Sequence, residues 1–415
     1  MAEWQSSALG TLVEVKGGKR LPKGVSLLDK PNSHPYIRIR DLGKSKTLEL
    51  TTEYGYVDDT TQTGLARYIV NEGDVLLSIV GTIGLTAIVG ASLNKANLTE
   101  NCVRFVNLNG IDAEFLYYYL TSSLGQNEIR KGTVGAVQPK LPIKNIQSFI
   151  IRYPSLDYQK QIVSLLKAID DKIEYNVAIN NNLQQQMGLL FKAWFIDNPD
   201  SKEWTEGVFA DFVDGVHSGD WGKETANSSF SQQVYCIRGA DIPSIKSGNR
   251  GKMPTRYIRP KNLLSKKLCN GDIVVEISGG SPTQSTGRAT PIVQSLIDRY
   301  DEDLVCTNFC KALTPKKQTS LFVYSYWQYL YDKGVFFNYE NGTTGIKNLD
   351  ITGILETEHI LIPPTSMIEH FNSLCCTCWD KITANGLESE RLSILRDSLL
   401  SKLMSGEIDV SDVEI

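Results

Sequence analysis

An internal repeat is the feature that most constrains how this chain of 415 residues can fold. Short blocks of the first half recur in the same order in the second half, with Arg38 matching Arg238 and Asp41 matching Asp241. The paired blocks are YIRIRDL and YCIRGADI, EGDVLLSIVG and NGDIVVEISG, TENCVRF and CTNFCKAL, KGTVG and NGTTG, and FIIRYP and HILIPP. An ordered repeat of this kind predicts two similar structural units.

Each repeat contains a segment of mixed strands and helices, followed by one long helix that starts after a proline. DVLLSIVG and DIVVEISG are short β-branched runs opened by Gly-Asp turns, which predicts buried strands, and EFLYYYLTSSL and LFVYSYWQYLY predict helices packed on them. We expect an α+β fold in which two similar α/β domains are separated by two long antiparallel coiled-coil helices. The predicted boundaries are 1–153 and 199–363 for the domains, and 154–198 and 364–415 for the spacer helices, the last with a C-terminal tail.

The first long helix, expected from Leu156 to Phe195, carries a heptad pattern with alternating spacings of three and four residues. This pattern is typical of a coiled coil. Two asparagines lie on the seam, and polar seam residues fix register and partner orientation at a cost in stability. The predicted seam residues are Leu166, Ile169, Ile173, Asn176, Asn180, Leu183, Met187, Leu190 and Trp194.

The second long helix, expected from Ser366 to Met404, shows a looser version of the pattern. Its predicted seam residues are Phe371, Leu374, Cys378, Ile382, Asn385, Leu392, Leu395, Leu399 and Leu403. Each helix would be about 60 Å long, and a lone exposed apolar stripe of that length would be insoluble. We expect the two stripes to pair in antiparallel orientation. The alternative is two ordinary amphipathic helices that each lie on their own domain.

The printed sequence contains none of the common catalytic motifs. It has no GxxxxGK(S/T), GxSxG or HExxH motif, and neither half carries a DPPY- or NPPY-like stretch of the kind that holds a flipped base. Its eight cysteines fit no familiar zinc spacing. We therefore expect no catalytic residue and no metal site. Without a membrane-length apolar run or a secretory signal, the expected location is the cytoplasm.

Charge is unevenly distributed, although the formal net charge is only −4. The globular segments are neutral to basic, whereas the long helices and the tail are acidic. Cations beside turn glycines suit phosphate and base-edge contacts, although an ordinary solvated face is the alternative for each residue. Arg38 and Arg40 alternate along a predicted strand, which would place both on one face. The predicted DNA-binding residues are Lys16, Lys19, Arg20, Lys23, Arg38, Arg40, Lys131, Lys140, Arg238, Arg250, Lys252, Arg256, Arg259, Lys261, Arg288 and Lys347.

Short motifs mark the ends of both long helices. PSLDYQKQIVSLLKAIDDKI places Gln159 at the entry to the first helix, LLFKAWFID closes that helix, and KLMSGEID closes the second. GTVG and GTTG turns precede the two helical regions. In their order, these motifs resemble the specificity subunit of type I restriction-modification enzymes over the whole chain. One departure is Ile368, which stands where the family pattern has the second glutamine.

The resemblance implies a division of labour among subunits. Each globular half would be a target recognition domain that reads one part of a split double-stranded DNA sequence. The helices would act as a ruler and would hold the modification subunits, which bind S-adenosylmethionine and methylate adenine. The restriction subunits would use ATP and Mg²⁺ to translocate and cut DNA. This chain would supply sequence choice without a cofactor of its own and without contact with a membrane.

Two other functions remain open at this point. The first is a fused DNA methyltransferase with its own recognition domain, against which the missing tetrapeptide argues. The second is a coiled-coil scaffold without a nucleic-acid role, against which the basic loops beside turn glycines in both halves argue.

Overall fold

A computed structural model describes residues 3–279, 284–342 and 346–411 of the chain. The chain divides into two compact units: a first unit of residues 1–171 and 393–415, and a second unit of residues 172–392. Each unit therefore contains one globular region and segments of both long helices. The domain boundaries expected from the sequence stay predictions.

The described strands of the first unit form three sheets. The strands are β1 (Gln5–Ala8), β2 (Glu14–Gly17), β3 (Pro35–Ile37), β4 (Thr47–Leu48), β5 (Gly55–Tyr56), β6 (Val75–Ser78), β7 (Thr86–Val89), β8 (Asn97–Leu98), β9 (Cys102–Val106) and β10 (Ile150–Tyr153). The sheet orders are β1-β10, β2-β9-β6-β7-β4 and β5-β3-β8. Strand β6 is buried at every position, as its run of apolar residues predicted.

The described strands of the second unit form four sheets. The strands are β11 (Thr205–Val208), β12 (Val213–Ser218), β13 (Gln232–Ile237), β14 (Thr255–Ile258), β15 (Ile273–Glu276), β16 (Ser278–Gly279), β17 (Ala289–Pro291), β18 (Leu304–Cys306), β19 (Cys310–Pro315), β20 (Glu340–Asn341), β21 (Lys347–Leu349) and β22 (His359–Ile362). The sheet orders are β11-β22, β12-β19-β15-β17, β14-β13-β18 and β16-β21-β20.

The two units share one strand topology. The order β2-β9-β6-β7 recurs as β12-β19-β15-β17, with antiparallel pairing throughout. Strand β3 pairs antiparallel with β5 and parallel with β8, as β13 does with β14 and β18. The prediction of two similar α/β domains is therefore confirmed.

The described helices include the two long ones. They are α1 (Leu9–Leu12), α2 (Asp59–Leu65), α3 (Ala113–Thr121), α4 (Ser123–Gly132), α5 (Ile143–Gln147), α6 (Leu156–Phe191), α7 (Ile242–Lys246), α8 (Pro260–Lys266), α9 (Gln294–Ile297), α10 (Ser320–Asp332), α11 (Ile351–Thr357) and α12 (Thr365–Ser405). A π-helical turn, Lys192–Ile196, extends α6. The stretch EFLYYYLTSSL is divided at Ser122, whose hydroxyl accepts a hydrogen bond from the N–H of Gly125 and caps α4. No helix within the described residues is both long and apolar enough to cross a bilayer.

In the first unit, the start of α6 packs against the end of α12. Leu166, Leu400 and Leu403 share one buried core with residues of the sheet and of α3. Above this core, Arg396 Nη1 donates to Asp170 Oδ1 at 2.9 Å, and the hydroxyl of Tyr118 donates to Asp170 Oδ2 at 2.6 Å. These contacts make the two helical segments antiparallel neighbours within this unit.

In the second unit, the end of α6 packs against the start of α12. The ring of Phe191 lies 5.9 Å from that of Phe371 in the main core. Toward the other end of the contact, Asn180 Nδ2 donates to the carbonyl oxygen of Ile382 at 3.1 Å, and Asn385 Nδ2 donates to Asn180 Oδ1 at 2.9 Å. The predicted antiparallel pairing is confirmed here as well, with the seam asparagines hydrogen-bonded across it.

Two predicted seam residues of α12 are wrong. Leu374 and Leu395 are 42% and 47% exposed, whereas every other predicted seam residue on either helix is buried or half-buried. The buried residues at the start of α12 follow a 3-4-4-3 spacing instead of a strict heptad: Ile368, Phe371, Cys375, Trp379 and Ile382. The buried stripe therefore passes through Cys375 and Trp379, each one residue beyond the predicted Leu374 and Cys378.

Two helical glycines provide a test of the packing. A Cβ at Gly386 in α12 would collide with the carbonyl oxygen of Gly248, whereas a Cβ at Gly188 in α6 would meet open space. Alanine favours a helix interior over glycine by about 1 kcal/mol. We expect Gly188→Ala to raise the free energy of unfolding by about that amount and Gly386→Ala to lower it. Denaturant unfolding followed by circular dichroism measures both, and equal stabilisation would contradict the close approach of α12 to Gly248.

Candidate nucleic-acid interface

The same capped turn follows the central strand of the three-stranded sheet in both units. The N–H of Arg38 donates to Asp41 Oδ2 at 2.7 Å, and the N–H of Arg238 donates to Asp241 Oδ2 at 3.1 Å. Both aspartates are buried, and a buried carboxylate requires such partners. The predicted correspondence of the two arginines and of the two aspartates is therefore confirmed.

The prediction that Arg38 and Arg40 alternate along a strand is wrong. Strand β3 ends before Arg38, and Ile39–Asp41 forms a 3-10 turn. The carboxylate of Asp41 accepts a hydrogen bond from the backbone N–H of Arg38, and this bond favours the turn over a longer strand. The arginines nevertheless converge, because Nη2 of each donates to the carbonyl oxygen of Glu53, at 2.7 and 3.3 Å.

Other cations of the first unit lie on and around the loop after β2. Arg20 Nε donates to Glu100 Oε1 at 2.7 Å, and Lys19 Nζ lies 5.6 Å from the centre of the Tyr68 ring. The hydrogen bond to Glu100 and its charge raise the pKa of Arg20. Among the described residues, no hydrogen bond or ion pair joins these cations to Arg38 or Arg40. The remaining candidates are exposed or half-buried: Lys16, paired with Glu14; Lys23; Lys131, paired with Glu128; and Lys140, whose backbone bridges Val80 and Val134.

Two cations of the second unit stack on aromatic rings. The guanidinium of Arg256 lies 3.7 Å from the centre of the Trp221 ring, and its Nη1 lies 3.1 Å from Glu224 Oε1. The guanidinium of Arg259 lies 5.0 Å from the centre of the Phe230 ring. Stacking of this kind restrains the arginine and the ring together. Arg256 is buried in this arrangement, whereas Arg259 is exposed, as is Lys261 beyond it.

A second group of candidates meets at the capped turn of the second unit. Arg238 Nη2 donates to the carbonyl oxygen of Lys252 at 2.7 Å, and the N–H of Lys252 donates to Asp241 Oδ1 at 3.0 Å. The guanidinium of Arg250 lies 4.5 Å from the centre of the Tyr300 ring. The structure therefore brings Arg238 and Lys252 together around one carboxylate.

The last two candidates are neutralised by carboxylates. Arg288 makes two hydrogen bonds to Glu276, at 2.7 and 2.6 Å, and Lys347 Nζ lies 2.7 Å from Glu340 Oε2. A bidentate arginine–carboxylate pair leaves fewer donors for DNA, so this surface is less suited to phosphate contact than the exposed cations. Residues 343–345 of the predicted GTTG turn lie outside the described residues.

Sequence analysis did not single out Arg299 and Glu390, which tie a basic loop to α12 in the second unit. Arg299 Nη2 lies 2.7 Å from Glu390 Oε2, and Glu390 Oε1 accepts a hydrogen bond from the N–H of Arg250 at 2.7 Å. The side chain of Arg299 is buried, so the pair holds a charge that would otherwise be costly to bury. No motif or spacing in the sequence connects these residues.

Asp241 provides a pH-dependent test of the capped turn. Burial alone would raise its pKa, but hydrogen bonds from Arg238 and from the N–H of Lys252 outweigh burial and lower it. A lowered folded-state pKa stabilises the fold above the unfolded value of about 4, and this contribution is lost as the pH falls through the folded pKa. We expect Asp241→Asn to cost about 2 kcal/mol at pH 7, and the difference from the natural chain to shrink below pH ~4.

Unfolding free energies measured from pH 7 to pH 3 test this expectation. Asp298→Asn is the matched control, because Asp298 is exposed and accepts one hydrogen bond from Gln294. A loss at Asp241 that is independent of pH would contradict an ionised, hydrogen-bonded carboxylate.

These features define a class of protein: a duplicated α/β fold with paired long helices and a cation-bearing surface on each unit. Comparison with known proteins places the chain within that class. The model of the type I restriction modification DNA specificity domain matches residues 1–185. The chain is therefore similar, in its first 185 residues, to the specificity domain of type I restriction-modification systems.

Curated relatives align with the chain over nearly its whole length. The chain is 24% identical over 397 residues to the type I restriction enzyme MjaIX specificity subunit of Methanocaldococcus jannaschii, covering 91% of this chain and 88% of the relative. It is 23% identical over 494 aligned positions to the HindI specificity subunit of Haemophilus influenzae, covering 98% and 100%. The crystal structure of a type I S subunit from M. genitalium shares the fold, with a TM-score of 0.53, 16% identity and coverage of 97% and 96%.

Proposed function

We propose that this chain selects the double-stranded DNA target of a type I restriction-modification complex, each unit reading one part of a two-part sequence. The observation that carries the proposal is the repeated topology with different surface side chains in each unit. Two similar binding units on one chain suit two separated half-sites, and differences between the units suit an asymmetric target.

The long helices are the proposed docking site for modification subunits. On α6, Tyr175, Val177, Ile179 and Leu189 are exposed, whereas Asn176, Asn180 and Met187 are buried. A run of exposed apolar side chains on a helix supports contact with a further protein. Leu374 on α12, which departs from the predicted seam, is exposed in the same manner.

We also propose that this chain makes and breaks no bonds. Among the described residues, no group of three His, Cys, Asp or Glu side chains could hold a metal ion. In the proposed complex, S-adenosylmethionine belongs to the modification subunits, and ATP and Mg²⁺ belong to the restriction subunits. The chain's contribution is to place these partners at a chosen sequence.

Binding of DNA at several salt concentrations tests this function. We expect the full chain, purified with its modification subunits, to bind duplex DNA with an affinity that falls steeply as salt rises, because cations displace counterions from phosphates. Arg259→Gln should weaken binding for all sequences and reduce the magnitude of the salt slope by about 1. Lys317→Gln, an exposed change of equal charge on another loop, is the control.

Two outcomes would contradict the proposal. Failure to bind DNA with or without modification subunits would favour a coiled-coil scaffold. Transfer of labelled methyl groups from S-adenosylmethionine to DNA by the purified chain alone would favour a fused methyltransferase.

A further inference from the structure

The same set of backbone hydrogen bonds, called the shared frame below, holds the turn before β9 in the first unit and the turn before β19 in the second. In the first unit the N–H of Thr99 donates to the carbonyl oxygen of Ile37 at 3.1 Å, and the N–H of Cys102 donates to Thr99 at 3.1 Å. In the second unit Thr307 donates to Ile237 at 2.9 Å, and Cys310 donates to Thr307 at 3.0 Å. Thr99 therefore corresponds to Thr307, and the next two residues of each turn correspond as well.

The far side of each turn is held in the same way. The N–H of Ile79 donates to the carbonyl oxygen of Asn101 at 2.8 Å, and the N–H of Ile277 donates to that of Phe309 at 2.9 Å. Each turn is thus fixed by backbone hydrogen bonds to two strands. Its side chains can change without altering its position, because none of these bonds depends on a side chain.

A second loop is clamped onto this turn in both units. The N–H of Lys19 donates to the carbonyl oxygen of Leu98 at 2.8 Å, and the N–H of Asp220 donates to that of Cys306 at 2.8 Å. The residue before each donor is a glycine whose Cβ would collide with backbone oxygens of the turn. Only glycine permits this approach, so Arg20 corresponds to Trp221 as the first side chain beyond the clamp.

The side chains on this shared frame differ in chemistry. In the first unit, Arg20 is 80% exposed and its Nε donates to Glu100 Oε1 at 2.7 Å. In the second unit, the N–H of Trp221 donates to Asn308 Oδ1 at 3.2 Å, and Phe309 is 64% exposed. Trp221 therefore takes the position of Arg20, Asn308 that of Glu100, and the exposed Phe309 that of Asn101.

Cationic side chains lie on and near Trp221. The guanidinium of Arg256 stacks on the ring of Trp221, and the exposed Arg259 lies three residues after Arg256, directly after the end of β14. An exposed phenylalanine such as Phe309 is costly in water, and the preceding Asn308 is hydrogen-bonded to Trp221, which stacks on Arg256. An exposed ring in a region that also bears a cation favours a polyanion with apolar groups over an apolar protein partner. DNA offers that combination in the thymine methyl group beside the phosphate backbone.

Resting on the proposed function, we propose that these side chains are the base-reading residues of the two units. Arg20, oriented by Glu100, reads a guanine in one half-site through its O6 and N7 acceptors, the contact that arginine geometry favours. Trp221 and Phe309 contact a thymine methyl group in the other half-site. The shared frame holds Arg20 and Trp221 at the same place in each unit, and the different side chains there give the two halves different sequences.

Selection from a pool of random DNA duplexes tests the assignment. The full chain, purified with its modification subunits, is incubated with the pool, and the bound duplexes are sequenced. We expect the natural chain to enrich two separated sequence blocks. Arg20→Gln should remove a G·C preference at one position of one block only, and Phe309→Ser should remove a T·A preference in the other block only. The preferred base should lose roughly 5- to 150-fold in relative enrichment.

Matched controls separate base reading from folding and from general charge. Arg130→Gln removes an exposed cation from α4, and Leu264→Ser removes an exposed apolar side chain from α8. Both controls should leave the two sequence blocks unchanged. Trp221→Tyr, which keeps a ring over Arg256, should alter the second block while the thermal unfolding temperature stays near that of the natural chain.

The outcomes distinguish a failure of the proposed function from a failure of the base-reading assignment. If the natural chain enriches no sequence, the proposed function fails. If it enriches two blocks and neither Arg20→Gln nor Phe309→Ser changes its own block, the proposed function stands and the base-reading assignment fails. A change of both blocks by either variant would also overturn the assignment, since each variant lies in one unit.

Discussion

The pairing of α6 with α12 is the interaction on which the rest of the structure depends. Within each unit, the globular region forms a common core with one segment of each helix, through Leu166 and Leu403 in the first and Phe191 and Phe371 in the second. Neither helix could hold such a stripe exposed in water. The pairing is also specific, because Asn180 is buried and would lose its hydrogen bonds in a shifted register.

The two units achieve this pairing with different chemistry. The first uses a charged cluster, in which Asp170 accepts hydrogen bonds from Arg396 and Tyr118. In the second unit, aromatic packing joins α10 to α12, because the ring of Tyr324 lies 5.7 Å from that of Trp379. The fold was therefore duplicated while individual contacts diverged. The proposed asymmetric DNA target would require the same divergence on the loops that bear Arg20 and Trp221.

The repeat and the long helices could be predicted because each produces a regular pattern in the sequence. Block order revealed the duplication, and heptad spacing revealed both helices within a few residues of their ends. Such patterns could not show that strand β3 ends before Arg38, because the turn there depends on a hydrogen bond from the N–H of Arg38 to the side chain of Asp41. They also could not show the Arg299–Glu390 pair, since long-range partners of single charged residues leave no periodic trace. The predicted DNA contacts stay predictions, and only the folded loops show that Trp221 occupies the place of Arg20.

Disulfide trapping measures the central pairing most directly. Asn180→Cys combined with Asn385→Cys places two thiols where the natural side chains are hydrogen-bonded at 2.9 Å. Mild oxidation followed by peptide mass spectrometry should recover a crosslink between the α6 and α12 peptides within one chain, whereas Asn180→Cys combined with Leu374→Cys, an exposed position on α12, should give none. A crosslink in the second variant without one in the first would contradict the antiparallel register.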